Sequence, residues 1–256
     1  MSKKRVLITG GAGYLAGFVA AALRPFCQVT LMDRIAPPAA DQRADLPFVQ
    51  ADVTAYEQVK AACKDQHLVV HLIALVRQRF GMPAGLHCDV MVKGTWHVAQ
   101  ACVEQGVRRL INISSVSAAG RPRAENIPSR PEVDGPFAEG DLSYALAKSL
   151  GESIGRAYHE AHGLEVIHLR PGVIAGDGLN PGPRAPAKPL DHWFVYVDPR
   201  DVAHAVVQAV KSALGYGTYH IVAGRADGMF DWSAAAADLG YSPQHNWPEI
   251  PDKGVA

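Results

Sequence analysis

The segment RVLITGGAGYLAGFVAAAL, residues 5–23, decides the fold that this sequence predicts. Its first five residues predict a buried strand, and the apolar residues after the glycines recur at helical spacing. Between them Gly10, Gly13 and Ala16 stand in the spacing G-x-x-G-x-x-G/A. The glycines let the backbone turn tightly and approach a pyrophosphate, and the alanine still permits close packing of helix on strand. This order of elements predicts a dinucleotide-binding site.

The residues around this segment indicate how a dinucleotide would lie. A pyrophosphate is expected at the N-terminus of the predicted helix Tyr14–Leu23, where N–H groups and the helix dipole favour negative charge. Asp33 ends the next predicted strand, 23 residues after Gly10. Its carboxylate can accept hydrogen bonds from the adenosine ribose and would repel a 2′-phosphate, which favours NAD over NADP. Arg34 could neutralise such a phosphate and keeps NADP open, and Asp33 could also be a simple turn residue.

Short β-branched runs alternate with longer helical patterns along most of the chain. The predicted strands are Arg5–Thr9, Val29–Asp33, Phe48–Ala51, Leu68–Ile73, Arg109–Ser114, Glu165–Leu169, Trp193–Val197 and Thr218–Ala223. The predicted helices are Tyr14–Leu23, Tyr56–Lys64, Asp89–Gln105, Ser143–His162, Asp201–Ala213 and a short one after Asp231. Gly106 and Gly163 mark expected helix ends. This β-α-β rhythm predicts an α/β fold with a Rossmann-type, doubly wound parallel sheet.

Composition excludes several classes of protein. Lys plus Arg equals Asp plus Glu at 25 each, so nucleic-acid binding has no electrostatic support. The longest apolar stretch, near Val69–Val76, is too short to cross a membrane, and no signal peptide is expected. The four cysteines show no Cys-x-x-Cys pair and predict buried or half-buried thiols in a cytoplasmic protein. His and Cys spacing predicts no metal site.

Tyr144 and Lys148 form a candidate catalytic pair, with Ser115 upstream. Residues four apart project from one face of a helix, so a phenol and an ammonium group can share a site. This pairing suits proton transfer coupled to hydride transfer. Spacing alone is weak evidence, because Tyr56 and Lys60 repeat it.

These motifs together resemble the extended short-chain dehydrogenase/reductase family, also called the NAD-dependent epimerase/dehydratase family, over roughly residues 5–224. The cofactor loop, the fifth-strand motif before Gly120 and the Tyr144–Lys148 pair occur in that family's order. The resemblance assigns catalysis to Ser115, Tyr144 and Lys148, and makes Tyr56 and Lys60 a solvated helical pair far from the nicotinamide.

The resemblance also implies the cofactor contacts and a mechanism. The implied cofactor-binding residues are Gly10, Gly13, Tyr14, Leu15, Asp33, Arg34, Asp52, Val53, Leu72, Ala74, Tyr144, Lys148, Pro171 and Val173. Lysine and the cofactor's positive charge would lower the pKa of the tyrosine, which otherwise ionises near pH 10 and is a poor base at neutral pH. The chain departs from the family at Met91, where asparagine is usual, and at Ala119, where an aromatic residue is usual.

The chain is expected to divide into an NAD-binding domain, residues 1–175, and a small substrate lobe, residues 176–256, interleaved with the core. Gly176–Pro189 is rich in Gly and Pro, which predicts a functional cover. Only 108 residues follow Lys148, so a small, unconjugated substrate is expected.

Among compact members the chain resembles uronate dehydrogenases, which oxidise the C1 hydroxyl of a free hexuronate. Val116 and Ser117 stand where those enzymes have Asn and His. Expected substrate-binding residues are Arg77, Val116, Ser117, Arg184 and Trp193, with Arg79 as a further guanidinium for a carboxylate. An arginine in a loop is, however, more often simply solvated.

Three functions stay open on the sequence. The first is an NAD-dependent dehydrogenase that acts on a small sugar-like alcohol. The second is an epimerase or dehydratase that recycles its bound NAD, and the third is a non-catalytic dinucleotide-sensing protein. The resemblance also implies a homodimer formed through the outward faces of Asp89–Gln105 and Ser143–His162.

Overall fold

A computed structural model describes residues 3–75, 83–175, 195–223 and 228–245 of the chain. Seven strands form one sheet in the order β3-β2-β1-β4-β5-β6-β9, and every neighbouring pair is parallel. These strands are β1 Lys4–Thr9, β2 Cys27–Asp33, β3 Phe48–Gln50, β4 Leu68–His71, β5 Arg109–Ile113, β6 Glu165–Pro171 and β9 Tyr216–Ile221. The strand order reverses between β1 and β4, which is where such sheets open a ligand crevice. The predicted Rossmann-type parallel sheet is confirmed.

Helices cover both faces of the sheet. They are α1 Tyr14–Leu23, α2 Tyr56–Cys63, α3 Ala84–His87, α4 Gly94–Glu104, α5 Leu142–His162, α6 Pro199–Lys211 and α7 Ser233–Leu239. One buried apolar cluster joins α1, α6 and α7 to one face, and a second joins α2 and α4 to the other. Strands buried on both faces explain why β1, β4 and β5 are apolar without alternation.

A further pair of strands, β7 Val173–Ile174 and β8 Tyr196–Val197, joins the end of β6 to the start of α6. The Cβ of any larger residue at Gly172 would lie 1.7 Å from the carbonyl oxygen of Val195, so the two backbones meet there because Gly172 has no side chain. Of the predicted strand Trp193–Val197, the structure describes residues 195–197 and shows a strand over Tyr196–Val197; Trp193 lies outside the described residues.

The predicted helix Asp89–Gln105 is wrong in its first part. The structure has a π-helical segment, Cys88–Lys93, between α3 and α4. Such a segment holds an extra residue per turn, which apolar periodicity does not show. At the junction Gly94 packs against Val53, where an added Cβ would lie 2.9 Å from both methyl groups.

Two smaller predictions also need correction. Cys27, Cys63 and Cys102 are buried free thiols as expected, but Cys88, the first residue of the π-helical segment, is exposed. Tyr56 and Lys60 are not a simple solvated pair: the Tyr56 hydroxyl is buried, burial raises its pKa, and Lys60 pairs with Glu104 at 2.6 Å.

Candidate active site

The glycine loop between β1 and α1 is held by backbone hydrogen bonds. The N–H of Gly11 donates to the carbonyl of Met32 at 3.0 Å, and that of Gly13 donates to Gly10 at 3.0 Å. Gly10 has a φ of +74°, which glycine adopts without strain. A Cβ at Gly11 would lie 2.7 Å from that of Leu31, so only glycine allows this approach of the loop to β2.

Asp33 is joined directly to the glycine loop. Its Oδ2 accepts a hydrogen bond from the backbone N–H of Ala12 at 3.0 Å, and its Oδ1 accepts one from the N–H of Arg34 at 2.7 Å. The carboxylate therefore has a defined place at the end of β2, beside the loop. The Arg34 side chain is 72% exposed and approaches Asp52 at 3.8 Å.

The glycine loop and the first turn of α1 fit a dinucleotide. Gly13 is the residue before α1. Within this described helix, no side chain caps the N-terminus and no acidic residue lies in the first turn, so none competes with a ligand for the first N–H groups of the helix. The first N–H groups of a helix lack acceptors inside it and suit a pyrophosphate. A Cβ at Gly13 would lie 3.1 Å from the Gly10 carbonyl oxygen, so glycine also keeps the loop narrow.

The other predicted cofactor residues in the described part of the chain line the same edge of the sheet. Leu72 and Ala74 follow β4, and the N–H of Leu72 donates to Thr9 at the end of β1. Asp52 and Val53 follow β3. Burial alone would raise the pKa of Asp52, but hydrogen bonds from Thr54 and the charge of Arg34 lower it overall.

Tyr14, Leu15, Pro171 and Val173 complete this predicted set. Tyr14 and Leu15 open α1 and are half-buried, and the Tyr14 ring packs edge-on against Phe18 at 5.2 Å. Pro171 ends β6, and Val173 begins β7. All four lie at ends of elements on the same edge of the sheet.

Ser115 lies two residues after the end of β5, at the carboxyl edge of the sheet. It caps a 3-10 turn, Val116–Ala119, and its Oγ accepts a hydrogen bond from the N–H of Ser117 at 3.2 Å. The predicted substrate residues Val116 and Ser117 belong to this turn and are half-buried. Arg77, Arg79, Arg184 and Trp193 lie outside the described residues.

Lys148 reaches the same place from α5. Its Nζ donates to the carbonyl of Ile113, the last residue of β5, at 2.6 Å. Burial lowers the pKa of this ammonium group to about 8, although the charge of Glu152 acts in the opposite direction. Tyr144 stands one turn earlier on α5 and is half-buried. The structure thus places Ser115, Tyr144 and Lys148 where β5 and α5 meet.

His87 is a buried residue of this region that the sequence did not single out. One ring nitrogen lies 3.1 Å from the Leu75 carbonyl, and the other lies 3.1 Å from Oγ of Ser143. Because a carbonyl can only accept, Nε2 carries the proton in the neutral ring and Nδ1 accepts from Ser143. The ring centre is 6.3 Å from that of Tyr144, edge to face. His87 therefore joins the segment after β4 to the start of α5.

A buried polar network lies one turn further along α5. Glu152 accepts two hydrogen bonds from Arg170 of β6, at 2.8 and 2.6 Å, and one from the hydroxyl of Ser114. Arg170 also donates to the carbonyl of Pro131 at 2.8 Å. Burial alone would raise the pKa of Glu152, but Arg170 lowers it overall. This network connects β5, α5 and β6 directly behind Ser115 and Lys148.

His71 occupies the centre of the sheet edge in its neutral form. Its ring nitrogens lie 2.7 Å from Oγ1 of Thr9 and 3.2 Å from Oγ1 of Thr95, which itself donates to the carbonyl of Met91. Burial, with a smaller effect of Lys148, lowers the pKa of His71 to about 3. At neutral pH it is an uncharged bridge between β1, β4 and α4.

A polar cavity of about 460 Å³ lies beside the network of Glu152 and Arg170, between α5 and β9. Glu152, Arg156 and Arg170 line it together with hydroxyl groups of Ser149 and Tyr216. Neither Ser115 nor Tyr144 nor Lys148 lines it, so it is separate from the candidate catalytic residues.

Comparisons with known proteins find relatives that align with most of the chain. A model of the NAD dependent epimerase/dehydratase family matches residues 6–195. The chain is 25% identical to an NAD-dependent glucose-6-phosphate dehydrogenase of Haloferax volcanii, over 97% of this chain and 96% of the relative. It is 26% identical to a uronate dehydrogenase of Pseudomonas putida, over 94% and 84% of the two chains. The crystal structure of a glucuronic acid dehydrogenase from Chromohalobacter salexigens superposes with a TM-score of 0.79 at 22% identity, over 96% and 86%.

Proposed function

Because this chain belongs to the NAD-dependent epimerase/dehydratase family, we propose that it oxidises a hydroxyl group of a small sugar or sugar acid. NAD is the cofactor of the family, and the glycine loop and Asp33 suit it. In the described residues, no helix is long and apolar enough to cross a membrane. Free thiols at the described cysteines support a location in the cytoplasm.

The placement of Lys148 carries the proposal. A lysine buried at 6% exposure is rare, and its contact with the Ile113 carbonyl does not by itself explain why its charge is kept there. One turn from Tyr144 and at the end of β5, an ammonium group can stabilise a phenolate. Catalytic bases work best when their pKa lies near the working pH, and an unperturbed tyrosine is about three units too high at neutral pH.

The chain's own residues then have distinct roles. NAD, when bound, supplies the acceptor for a hydride. Tyr144 takes the proton from the substrate hydroxyl, and Lys148 holds the phenolate form by its charge. Ser115 donates a hydrogen bond to the same substrate oxygen, which its hydroxyl can do while its lone pair keeps the bond from Ser117.

The relatives favour a small substrate and net oxidation. The two curated relatives above align over nearly the whole chain, and both are named as dehydrogenases of sugar derivatives that carry no nucleotide. The substrate lobe within residues 176–256, and Arg77, Val116, Ser117, Arg184 and Trp193 as its contacts, are part of the proposal.

A screen of NADH formation tests the function. The full chain is incubated with NAD⁺ and a panel of uronates, aldoses, sugar phosphates and hydroxy acids, and absorbance is followed at the NADH band. At least one substrate is expected to give stoichiometric NADH. An epimerase or dehydratase would convert a substrate without net NADH, and a sensing protein would bind NAD without converting any.

The variant Tyr144→Phe tests the mechanism. Loss of the base is expected to lower kcat at least about a hundredfold, since acid–base catalysis typically contributes that much. NAD affinity, measured by calorimetry, should change less than about twofold, because the phenol oxygen serves the proton step. Full activity in this variant would contradict the role given to Tyr144.

We propose further that the protein is a homodimer through α4 and α5. Leu142, Leu146 and Leu150 project from one side of α5 and are 40–45% exposed, and Trp96 of α4 is 56% exposed. Such an apolar surface on a soluble protein indicates an interface. Light scattering is expected to give the dimer mass for the wild type and the control Ile127→Glu, and the monomer mass for Leu146→Glu. A monomeric wild type would overturn this.

A further inference from the structure

The segment between β2 and β3 contacts the glycine loop through one buried arginine. Arg43 has a side chain only 8% exposed, and its Nη1 donates to the carbonyl oxygens of Gly11 at 2.8 Å and Gly13 at 2.7 Å. A buried guanidinium is rare and needs partners for all its donors. Two of its acceptors here belong to the loop that the fold provides for a pyrophosphate.

Asp41 holds the guanidinium in this orientation. Its carboxylate accepts hydrogen bonds from Nε of Arg43 at 2.8 Å and from Nη2 at 2.6 Å, a bidentate pairing, and a third from the backbone N–H of Arg43 at 2.9 Å. The hydrogen bonds from Arg43 lower the pKa of Asp41 to about 2. Gly17 of α1 faces the guanidinium, and a Cβ there would be 3.8 Å from Nε.

The carbonyl contacts fix the direction of two N–H groups. A peptide unit is planar, so the carbonyl of Gly11 and the N–H of Ala12 share one plane and point in opposite directions, as do the carbonyl of Gly13 and the N–H of Tyr14. The first of these N–H groups donates to Asp33, and the second begins α1. Arg43 thereby fixes the peptide units that lead into the anion-binding helix, while Asp33 keeps a separate hydrogen bond from the N–H of Arg34.

We propose that Arg43 is a positioning residue for the cofactor pyrophosphate, acting through the glycine loop. It holds the loop in its anion-binding shape before a ligand arrives, so that less conformational freedom is lost on binding. The segment of residues 34–47 is then part of the cofactor site, although no residue of it after Arg34 carries a cofactor motif. This inference rests on the proposed use of NAD at this loop.

A merely structural role for Arg43 makes a different prediction. If the residue only fastens the segment to α1, its loss weakens every part of the adenosine-side site equally. If it shapes the glycine loop, its removal weakens the binding of ligands that carry a pyrophosphate more than the binding of ligands that lack one. Arg24 offers a matched control, because it ties the same segment to the end of α1 through Asp45 at 2.6 Å and does not touch the loop.

Binding of two probes to the full chain distinguishes the roles. ADP-ribose carries the pyrophosphate and is titrated by calorimetry, and adenosine lacks it and is titrated by NMR. For Arg43→Ala the Kd of ADP-ribose is expected to rise about tenfold, the scale of losing hydrogen bonds from a charged group, while that of adenosine changes less than about twofold. Arg43→Lys keeps the charge but loses the paired N–H donors of the guanidinium, so its Kd for ADP-ribose should lie between those of the wild type and Arg43→Ala. Arg24→Ala should have the Kd of the wild type.

The results separate this inference from the proposed function. Equal losses for both probes, or a loss of the same size in Arg24→Ala, would overturn it, as would unchanged ADP-ribose binding in Arg43→Ala. If Arg43→Ala does not fold, Arg43→Lys decides by the same ratio of the two Kd values. The protein could oxidise no sugar and still show the expected change in ADP-ribose binding. That result would refute the dehydrogenase proposal and support this inference.

Discussion

The two ends of the candidate active site are built in different ways. At the cofactor end, the glycine loop is shaped mainly by backbone hydrogen bonds between residues close in the chain or on adjacent strands, such as Gly13 to Gly10, and Arg43 adds a buried side-chain contact. At the catalytic end, Lys148 and Ser115 are surrounded by buried side chains that contact each other across 18 to 56 residues of sequence. The comparison teaches that the cofactor end depends mainly on backbone conformation, supported by Arg43, and that the catalytic end depends on several side chains that contact each other.

Removal of Glu152 is the strongest way to test this difference. Glu152→Ala leaves Arg170 buried without its bidentate partner, and such a loss typically costs about 3–5 kcal/mol. Urea unfolding measures it. The matched control at the cofactor end is Asp45→Ala, which removes the ion pair with Arg24 and should cost less than about 1 kcal/mol because both groups are largely exposed. Similar costs for the two variants would remove the distinction.

The sequence predicted the structural elements of the cofactor end for a physical reason. Glycine spacing, the helix Tyr14–Leu23 and Asp33 act within one β-α-β unit, so short-range pattern is enough. Ser115, Tyr144 and Lys148 were predicted through resemblance and stay a prediction as a catalytic set, and His87 was missed. Its partners, Leu75 and Ser143, are 12 and 56 residues away, and no local pattern marks a histidine whose role is set by such contacts.

Buried ion pairs and the π-helical segment escaped prediction for related reasons. In the sequence, Glu152 and Arg170 are ordinary charged residues, because their pairing forms only when α5 packs on β6. Arg43 lies in a segment without regular structure, and only its carbonyl contacts reveal it. The extra residue in Cys88–Lys93 leaves the apolar pattern nearly helical, so spacing cannot detect it.

The burial of Lys148 gives a second test at the catalytic end. Its pKa falls from an ordinary 10.5 to about 8, so above pH 8 the unfolded chain binds a proton that the folded chain has released. Stability therefore rises with pH in this window, by about 2 kcal/mol from pH 8 to 9.5, relative to Lys148→Met. Urea unfolding of both proteins across that range gives the difference. A difference that stays flat would show that the ammonium group is not desolvated.

The contact of His87 with Ser143 gives the smallest expected effect and the finest test. Ser143→Ala removes the hydroxyl that donates to Nδ1 and leaves a buried acceptor without its partner, which costs about 1 kcal/mol of unfolding free energy. Because Ser143 precedes Tyr144, the start of α5 should also move relative to the segment after β4. We expect kcat to fall severalfold at unchanged Kd for NAD, measured by steady-state kinetics and calorimetry. Ser153→Ala, on an exposed turn of the same helix, should change neither quantity. If instead NAD affinity falls while kcat holds, the contact supports the cofactor end, and the division between the two ends is drawn in the wrong place.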